Sequence, residues 1–181
     1  MENKHIITIE QLKTLGRPIG KMVDNGKLEA FITEAEQLHI KPTIGDALFL
    51  RLLEESAKEN IEDENLKILL DGGTYNESDF GRNNDNVHSL LGLRVALSYY
   101  VYAQYVMSGD IESTRYGLNI KNDEYSSHVS DKSRSSLYNN AIEIAKGYLK
   151  ECLTFCKVSG LIKEQGKSKV NIGGCTIRKI G

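Results

Sequence analysis

The longest apolar stretch of the chain, residues 86–108, predicts a helix that is buried on nearly all sides. Its central part, LLGLRVALSYYVYAQYV at 90–106, is interrupted by Arg94, Ser98 and Gln104 and contains four tyrosines. A membrane span of about 20 residues would carry fewer polar side chains. We therefore expect a core helix closed by Gly109, followed by a polar loop from about 110 to 130, and no membrane span.

Helical spacing is also clear on both sides of this stretch. One face of a helix that begins at Asp24 is apolar and carries Leu28, Phe31, Ile32, Ala35 and Leu38. The opposite face carries Glu29, Glu34, Glu36 and Gln37. Near the end of the chain a long helix, capped by Asp131 or Ser133, presents one stripe formed by Leu137, Ala141, Ile144, Tyr148, Cys152 and Phe155. We expect this last helix to pack lengthwise on the central one.

Shorter elements fill the remaining sequence. Pro42 predicts the end of the helix from Asp24 and the start of another that runs to Ala57, with a tight angle within residues 39–45. A third helix, from about 62 to 70, ends at Gly72. Residues 72–86 predict a long surface loop, and residues 6–15 a short strand leading into a helical turn.

Length and composition favour one helical domain. The chain has 181 residues, 40% of them hydrophobic, with only two prolines and no tryptophan. A sandwich or barrel would need more turn signals at short spacing. We predict an all-α fold, a compact bundle of about five helices with long surface loops and a short C-terminal β-hairpin or extended tail. The helical body covers residues 1–157 and a basic extension covers 158–181.

The charge of the chain is divided unevenly. From Lys157 onward there are six basic residues and one acid, a net charge of +5, which leaves 17 basic and 24 acidic residues before it, a net charge of −7. Gly173 and Gly174 separate two β-prone runs, so a two-residue turn would sort apolar and polar side chains onto opposite faces. Such a basic tail suits an acidic surface in its own assembly, a partner or nucleic acid; a solvated end without a partner is the alternative.

No residues have the spacing of a catalytic, metal or phosphate-binding site. Histidines occur singly, at His5, His39, His88 and His128. Cysteines lack the spacing of a zinc site or disulfide framework and are expected to be reduced thiols, at Cys152, Cys156 and Cys175. The N-terminal residues MENKHIITIEQ do not resemble a secretory signal, which predicts folding in a reducing cytoplasm. We expect no enzyme activity, no metal and no cofactor.

Three sequence segments, taken in their order along the chain, resemble the head-tail connector proteins of tailed phages and prophages. They are FITEAEQLHIKPTIGDALFLRLL at 31–53, LLGLRVALSYYVYAQYV at 90–106 and STRYGLNIKNDEYSSH at 113–128. The resemblance covers most of residues 24–156. It rests on the residues of these three segments and on their order along the chain, because none of the segments is a catalytic signature. Connectors of this family are small helical adaptors that form a ring beneath the portal once the capsid is filled with DNA.

The resemblance implies a structural role in the virion neck, after assembly in the host cytoplasm. It implies a homo-oligomeric ring, twelve-fold to match the portal, which also binds a further neck or tail protein and passes DNA only as cargo. The polar loop would contact ring neighbours through Arg115, Tyr116, Lys121, Asn122, Asp123, Glu124 and Tyr125. The tail would dock on the portal, where strand addition is one possible mode, through Lys167, Lys169, Val170, Ile172, Ile177 and Arg178.

A second hypothesis belongs to a different class. The same basic tail could bind phosphates in a small helical nucleic-acid-binding or regulatory module. The tyrosines of the central helix could in principle stack on bases, although a helix that is apolar on every side is more typical of a core. The body charge of −7 also argues against nucleic-acid binding.

Overall fold

The computed structural model describes residues 5–20, 23–58, 60–83, 85–108, 111–115, 117–120 and 129–162. The helices are α1 (Ile9–Thr14), α2 (Asn25–Ala35), a π-helical segment (Glu36–Ile40), α3 (Lys41–Ile44), α4 (Asp46–Ser56), α5 (Glu64–Asp71), α6 (Leu93–Ser108) and α7 (Asp131–Val158). The strands are β1 (Gly73–Asn76), β2 (Val87–Leu90), β3 (Ile111–Thr114) and β4 (Gly117–Ile120), and a short 3₁₀ helix spans Glu77–Phe80. The fold is mainly helical, as predicted, with two small antiparallel hairpins that were not.

Helix α6 is the central element of the core. It contacts α2, α5, the π-helical segment and, most extensively, α7. Its side chains Leu93, Leu97 and Val101 are fully buried. The expectation that the last helix packs lengthwise on this one is confirmed, although the buried row of α7 is shifted from the predicted stripe and consists of Ala141, Ala145, Leu149, Cys152, Phe155 and Cys156.

The predicted faces of the helix from Asp24 are wrong at its C-terminal end. Glu36 is 2% exposed, whereas Leu38 is 64% exposed. The buried row is spaced by four residues: Leu28, Ile32, Glu36, Ile40 and Ile44. A regular α-helix has 3.6 residues per turn, so such a row would drift around the helix. The wider π-helical turn, closed by the bond from Lys41 N–H to the carbonyl of Glu36, corrects this drift and keeps the row on the core.

The corner between this helix and α4 lies at Gly45, within the predicted range 39–45, although the helical path does not end before Pro42 as expected. The helical path passes from the π-helical segment directly into α3, with Pro42 in the first turn of α3, where a missing N–H is tolerated. Gly45 has φ +84°, a value that favours glycine, and α4 begins at the next residue.

Residues 72–86 are not the predicted open loop, because most of them belong to an anchored hairpin. Strand β1 pairs with β2 in the register Gly73 to Leu90 and Asn76 to Val87. The chain enters and leaves this hairpin at Gly72 and Gly92, which have φ +89° and +90°. A Cβ on Gly92 would lie 2.5 Å from the backbone nitrogen of Gly72, so both positions require glycine.

Aromatic side chains fasten the same hairpin to the end of α7. Tyr75 is 7% exposed, and its ring centroid lies 4.8 Å from that of Phe155 and 5.2 Å from that of His88. Phe80 packs edge-on against Phe155 at 6.0 Å. The segment therefore lies on the surface but is held there by its two large apolar residues.

The second predicted loop also contains a hairpin. Strand β3 pairs with β4 from Ile111 opposite Ile120 to Thr114 opposite Gly117. Helix α6, by contrast, begins at Leu93, later than residue 86, because β2 takes up residues 87–90. The long polar loops of the sequence are thus partly strand, since backbone pairing needs no apolar pattern in such short segments.

Residues 5–8 form no strand, whereas the predicted helical turn that follows them is α1. His5–Ile7 are bends and Thr8 caps α1 through a capping box, in which Thr8 accepts from Gln11 N–H and the Gln11 side chain accepts from Thr8 N–H. Ile6 and Ile7 are nevertheless buried. The predicted C-terminal hairpin or extended tail lies outside the described residues.

The shift of the buried row can be tested with two leucine substitutions. The apolar spacing places Leu28 and Leu38 on one face, whereas in the structure only Leu28 is enclosed. Leu28→Ala is expected to lower the free energy of unfolding by about 2–5 kcal/mol, and Leu38→Ala to change it by less than about 0.5 kcal/mol. Urea denaturation followed by circular dichroism measures both, and equal losses would contradict the π-helical register.

A candidate binding cleft around Arg94

Side chains from three helical segments hold the backbone of His5 and Ile6 in place. Glu36 Oε1 accepts a hydrogen bond from Ile6 N–H at 2.7 Å, and Glu36 Oε2 lies 2.9 Å from His5 Nδ1. Ser56 Oγ donates to the carbonyl of His5 at 3.1 Å. Arg94 Nε donates to the carbonyl of Ile6 at 2.9 Å. This clamp satisfies backbone groups that the burial of Ile6 would otherwise leave unpaired.

Arg94 links the clamp to an open cleft. It lies in the first turn of α6, and its side chain is 9% exposed. One guanidinium nitrogen, Nη1, forms an ion pair with Asp71 Oδ1 at the end of α5. A buried arginine requires such partners because an uncompensated charge in the interior is costly. The two contacts fix the position of the guanidinium group at the wall of the cleft.

The cleft has a volume of about 680 Å³ and a mainly polar lining. It lies among α1, the end of α4, α5 and the start of α6. The polar and charged residues that line it include Thr8, Gln11, Lys58, Lys67, Asp71 and Arg94. Among the described residues, three cations and one acid therefore line this space, on a body whose net charge is −7.

The buried carboxyl group of Glu36 has a perturbed titration. Burial raises the pKa of Glu36 above its ordinary value, and the hydrogen bonds from His5 and from Ile6 N–H oppose that rise in part. Sequence spacing assigned Glu36 to a solvated face, so this site was missed. Arg94 was visible as a charge within an apolar run, which is the signal for a buried, partnered residue.

The other histidines and thiols in the described part of the chain contact neighbouring side chains or are buried. His39 stacks on Tyr100 with centroids 4.1 Å apart, and burial lowers the pKa of His39. His88 Nε2 lies 2.9 Å from Glu77 Oε1. Burial raises the pKa of Cys152 and of Cys156 to about 12, which keeps both thiols protonated. Among the described residues, no three histidine, cysteine or acidic side chains are grouped to hold a metal ion.

The tyrosines of α6 divide between core and edge. Tyr100 is 3% exposed, whereas Tyr99, Tyr102 and Tyr105 are half-buried and pack against the core. The guanidinium carbon of Arg17 lies 6.0 and 5.6 Å from the ring centroids of Tyr99 and Tyr102. None of the described helices has the length and apolar character needed to cross a membrane.

Of the interface residues predicted from the sequence, only Arg115 falls in the described part of the chain. It is exposed in the turn between β3 and β4. The others lie outside the described residues: Tyr116, Lys121, Asn122, Asp123, Glu124, Tyr125, Lys167, Lys169, Val170, Ile172, Ile177 and Arg178. The cleft around Arg94 was not predicted, because Lys58 and Lys67 have no distinctive spacing in the sequence.

The fold and the cleft define a mainly helical protein with a polar, cation-bearing cleft. Residues 40–159, more than half of the chain, match a protein family of unknown function, DUF6712, and the chain belongs to that family. No curated protein and no solved structure matches the chain.

The contribution of Glu36 to stability is expected to depend on pH. Because burial raises its folded-state pKa, the folded chain binds this proton more tightly than the unfolded chain does. Stability from Glu36 is then full below the ordinary pKa of 4.5 and is lost as the pH rises through the raised folded value. Glu36→Gln stays neutral, so the stability of the native chain relative to this variant should fall as the pH rises from about 4 to 7.

Urea denaturation of both proteins across this range measures the difference, and other acids cancel because both proteins contain them. Glu34→Gln, an exposed change two residues away, is the control and should give a pH-independent difference. A flat difference for Glu36→Gln would mean that burial does not perturb this carboxyl group.

Proposed function

We propose that this protein is a structural head-tail connector of a tailed phage or prophage, which forms a ring between the portal and the next neck or tail component. The observation that carries the proposal is the β3–β4 hairpin, inserted between the two longest helices of the core. Its strands pack chiefly on each other, with only sparse backbone contact to the rest of the described chain. A lone hairpin is marginally stable in water, so a partner surface is expected to cover it.

The position of this hairpin suits contacts between ring neighbours. It is joined to the C-terminal end of α6 and precedes α7, so the packed α6–α7 pair is a rigid support for it. Arg115 lies in the turn of the β3–β4 hairpin. The third of the segments that resemble connector proteins, residues 113–128, begins within this hairpin. A rigid helical body that carries such a hairpin can form a heterologous contact that repeats around a closed ring.

The order of elements gives further support. The resemblance implies a helix pair, a loop, an apolar tyrosine-rich helix, a polar loop and a final helix. The main helices follow this order, with a hairpin in the place of each loop. Ring neighbours would meet through Arg115 and the polar segment up to Tyr125. The basic extension 158–181 would bind the portal, where its charge suits an acidic surface.

Deletion of the β3–β4 hairpin tests the proposed contact between ring neighbours. Residues 111–120 are replaced by a short glycine-serine linker, which should leave the α6–α7 core intact. We expect the variant to retain cooperative unfolding and helical circular dichroism but to lose assembly onto DNA-filled heads that carry the portal and lack this protein. Electron microscopy of the mixed particles measures the fraction of decorated necks. Lys150→Gln, an exposed change on α7, is the control and should assemble like the native chain.

Truncation after Ser159 tests the role of the extension. The helical body should fold, because the last fully buried core residues are Phe155 and Cys156 on α7, and of the described residues packed against the core the truncation removes only the partly buried Leu161 and Ile162. It should no longer join portal-bearing heads, measured by co-sedimentation. Unchanged binding of the truncated chain would contradict docking through residues 160–181.

The nucleic-acid alternative predicts a different result with the same truncated chain. A tail that neutralises several phosphates would give duplex DNA binding that weakens steeply with salt, and the truncation would abolish it. A connector of this charge should bind duplex DNA weakly at physiological salt, with or without the tail.

A further inference from the structure

We infer that the cleft around Arg94 is a binding site for an acidic peptide segment, whose carboxylate groups bind the guanidinium of Arg94 and the ammonium of Lys67. This inference does not depend on the connector proposal, because it concerns a different surface and is tested with a separate probe. The ligand class follows from the donors, charges and shape of the cleft.

Arg94 supplies unfilled donors in a fixed position. A guanidinium group has five N–H donors, and the described residues occupy them at two sites, through Ile6 O and Asp71 Oδ1. The side chain is packed at the start of α6, so little conformational entropy is lost when a ligand binds. The Nη2 nitrogen donates to none of the described residues, and a charge-assisted hydrogen bond from it to a carboxylate would be a strong one.

Lys67 supplies the uncompensated charge. Lys58 is paired with Glu55 at 2.7 Å, and Arg94 is paired with Asp71. Lys67 is exposed on α5 and forms no ion pair with any described residue. Lys58 also lies near Glu54 and Glu62, so Lys67 is the cation left uncompensated among the described residues that line the cleft. A cation of this kind in a concave patch favours an anionic group.

Shape favours a peptide over a nucleic acid. A volume of about 680 Å³ lies within the range of ligand pockets and can admit a few side chains. A duplex needs a broad surface with many phosphate contacts, whereas this site is a single concave cleft. The cations here converge on one concave site, which is the arrangement suited to one or two carboxylates.

The probe is a hexaglutamate peptide, titrated into the full-length chain and followed by isothermal titration calorimetry at low ionic strength, about 20 mM, where screening is weak. We expect saturable binding that Lys67→Glu weakens about fivefold or more. Lys132→Glu makes the same change of charge at the other end of the molecule, in the first turn of α7, and is the matched control. It should bind hexaglutamate with close to native affinity.

A variant that is expected to strengthen binding distinguishes a specific site from a general effect of charge. Asp71→Asn removes the acid that competes for Arg94 and should strengthen hexaglutamate binding, while the fold is checked by circular dichroism. The inference is overturned if hexaglutamate does not bind, if Lys67→Glu and Lys132→Glu weaken binding equally, or if Asp71→Asn weakens it. Tighter binding of a 20-base-pair duplex than of hexaglutamate, lost in Lys67→Glu, would assign the cleft to nucleic acid and would also overturn it.

Discussion

A helix that is apolar on every side is stable in water only when other elements enclose it, and α6 imposes this constraint on the whole chain. Helix α7 covers one side along its length, α2 with the π-helical segment covers another, and α5 closes the end near Leu93. The row of buried residues spaced by four, from Leu28 to Ile44, remains on this core only because the helix widens at Glu36–Ile40.

Enclosing α6 also buries its one cation, and the polar contacts at that end of the molecule follow from this. Arg94 needs acceptors, which are provided by the carbonyl of Ile6 and by Asp71. The N-terminal segment that presents the carbonyl is held in turn by Glu36 and Ser56. The polar cleft is therefore a consequence of core packing, because Arg94 at the edge of the core pairs with the partly exposed Asp71 and with the carbonyl of Ile6.

The two hairpins differ in how they are attached, and the difference separates a structural role from a candidate interface. The β1–β2 hairpin begins and ends at a close glycine crossing, and Tyr75 and Phe80 bind it to Phe155 on α7. The β3–β4 hairpin has pairing within itself and little backbone contact elsewhere in the described chain.

Periodicity by itself determined the main helices, because a run of apolar residues at helical spacing leaves few other ways to exclude water. It also predicted that α7 packs lengthwise on α6. Periodicity could not predict that Glu36 is buried and Leu38 exposed. A π-helical turn changes the face on which a residue lies, and the pattern of apolar and polar residues in the sequence does not reveal such a turn. The hairpins and the cleft were decided by tertiary structure, since backbone pairing and the meeting of Lys67, Asp71 and Arg94 depend on contacts between residues distant in sequence.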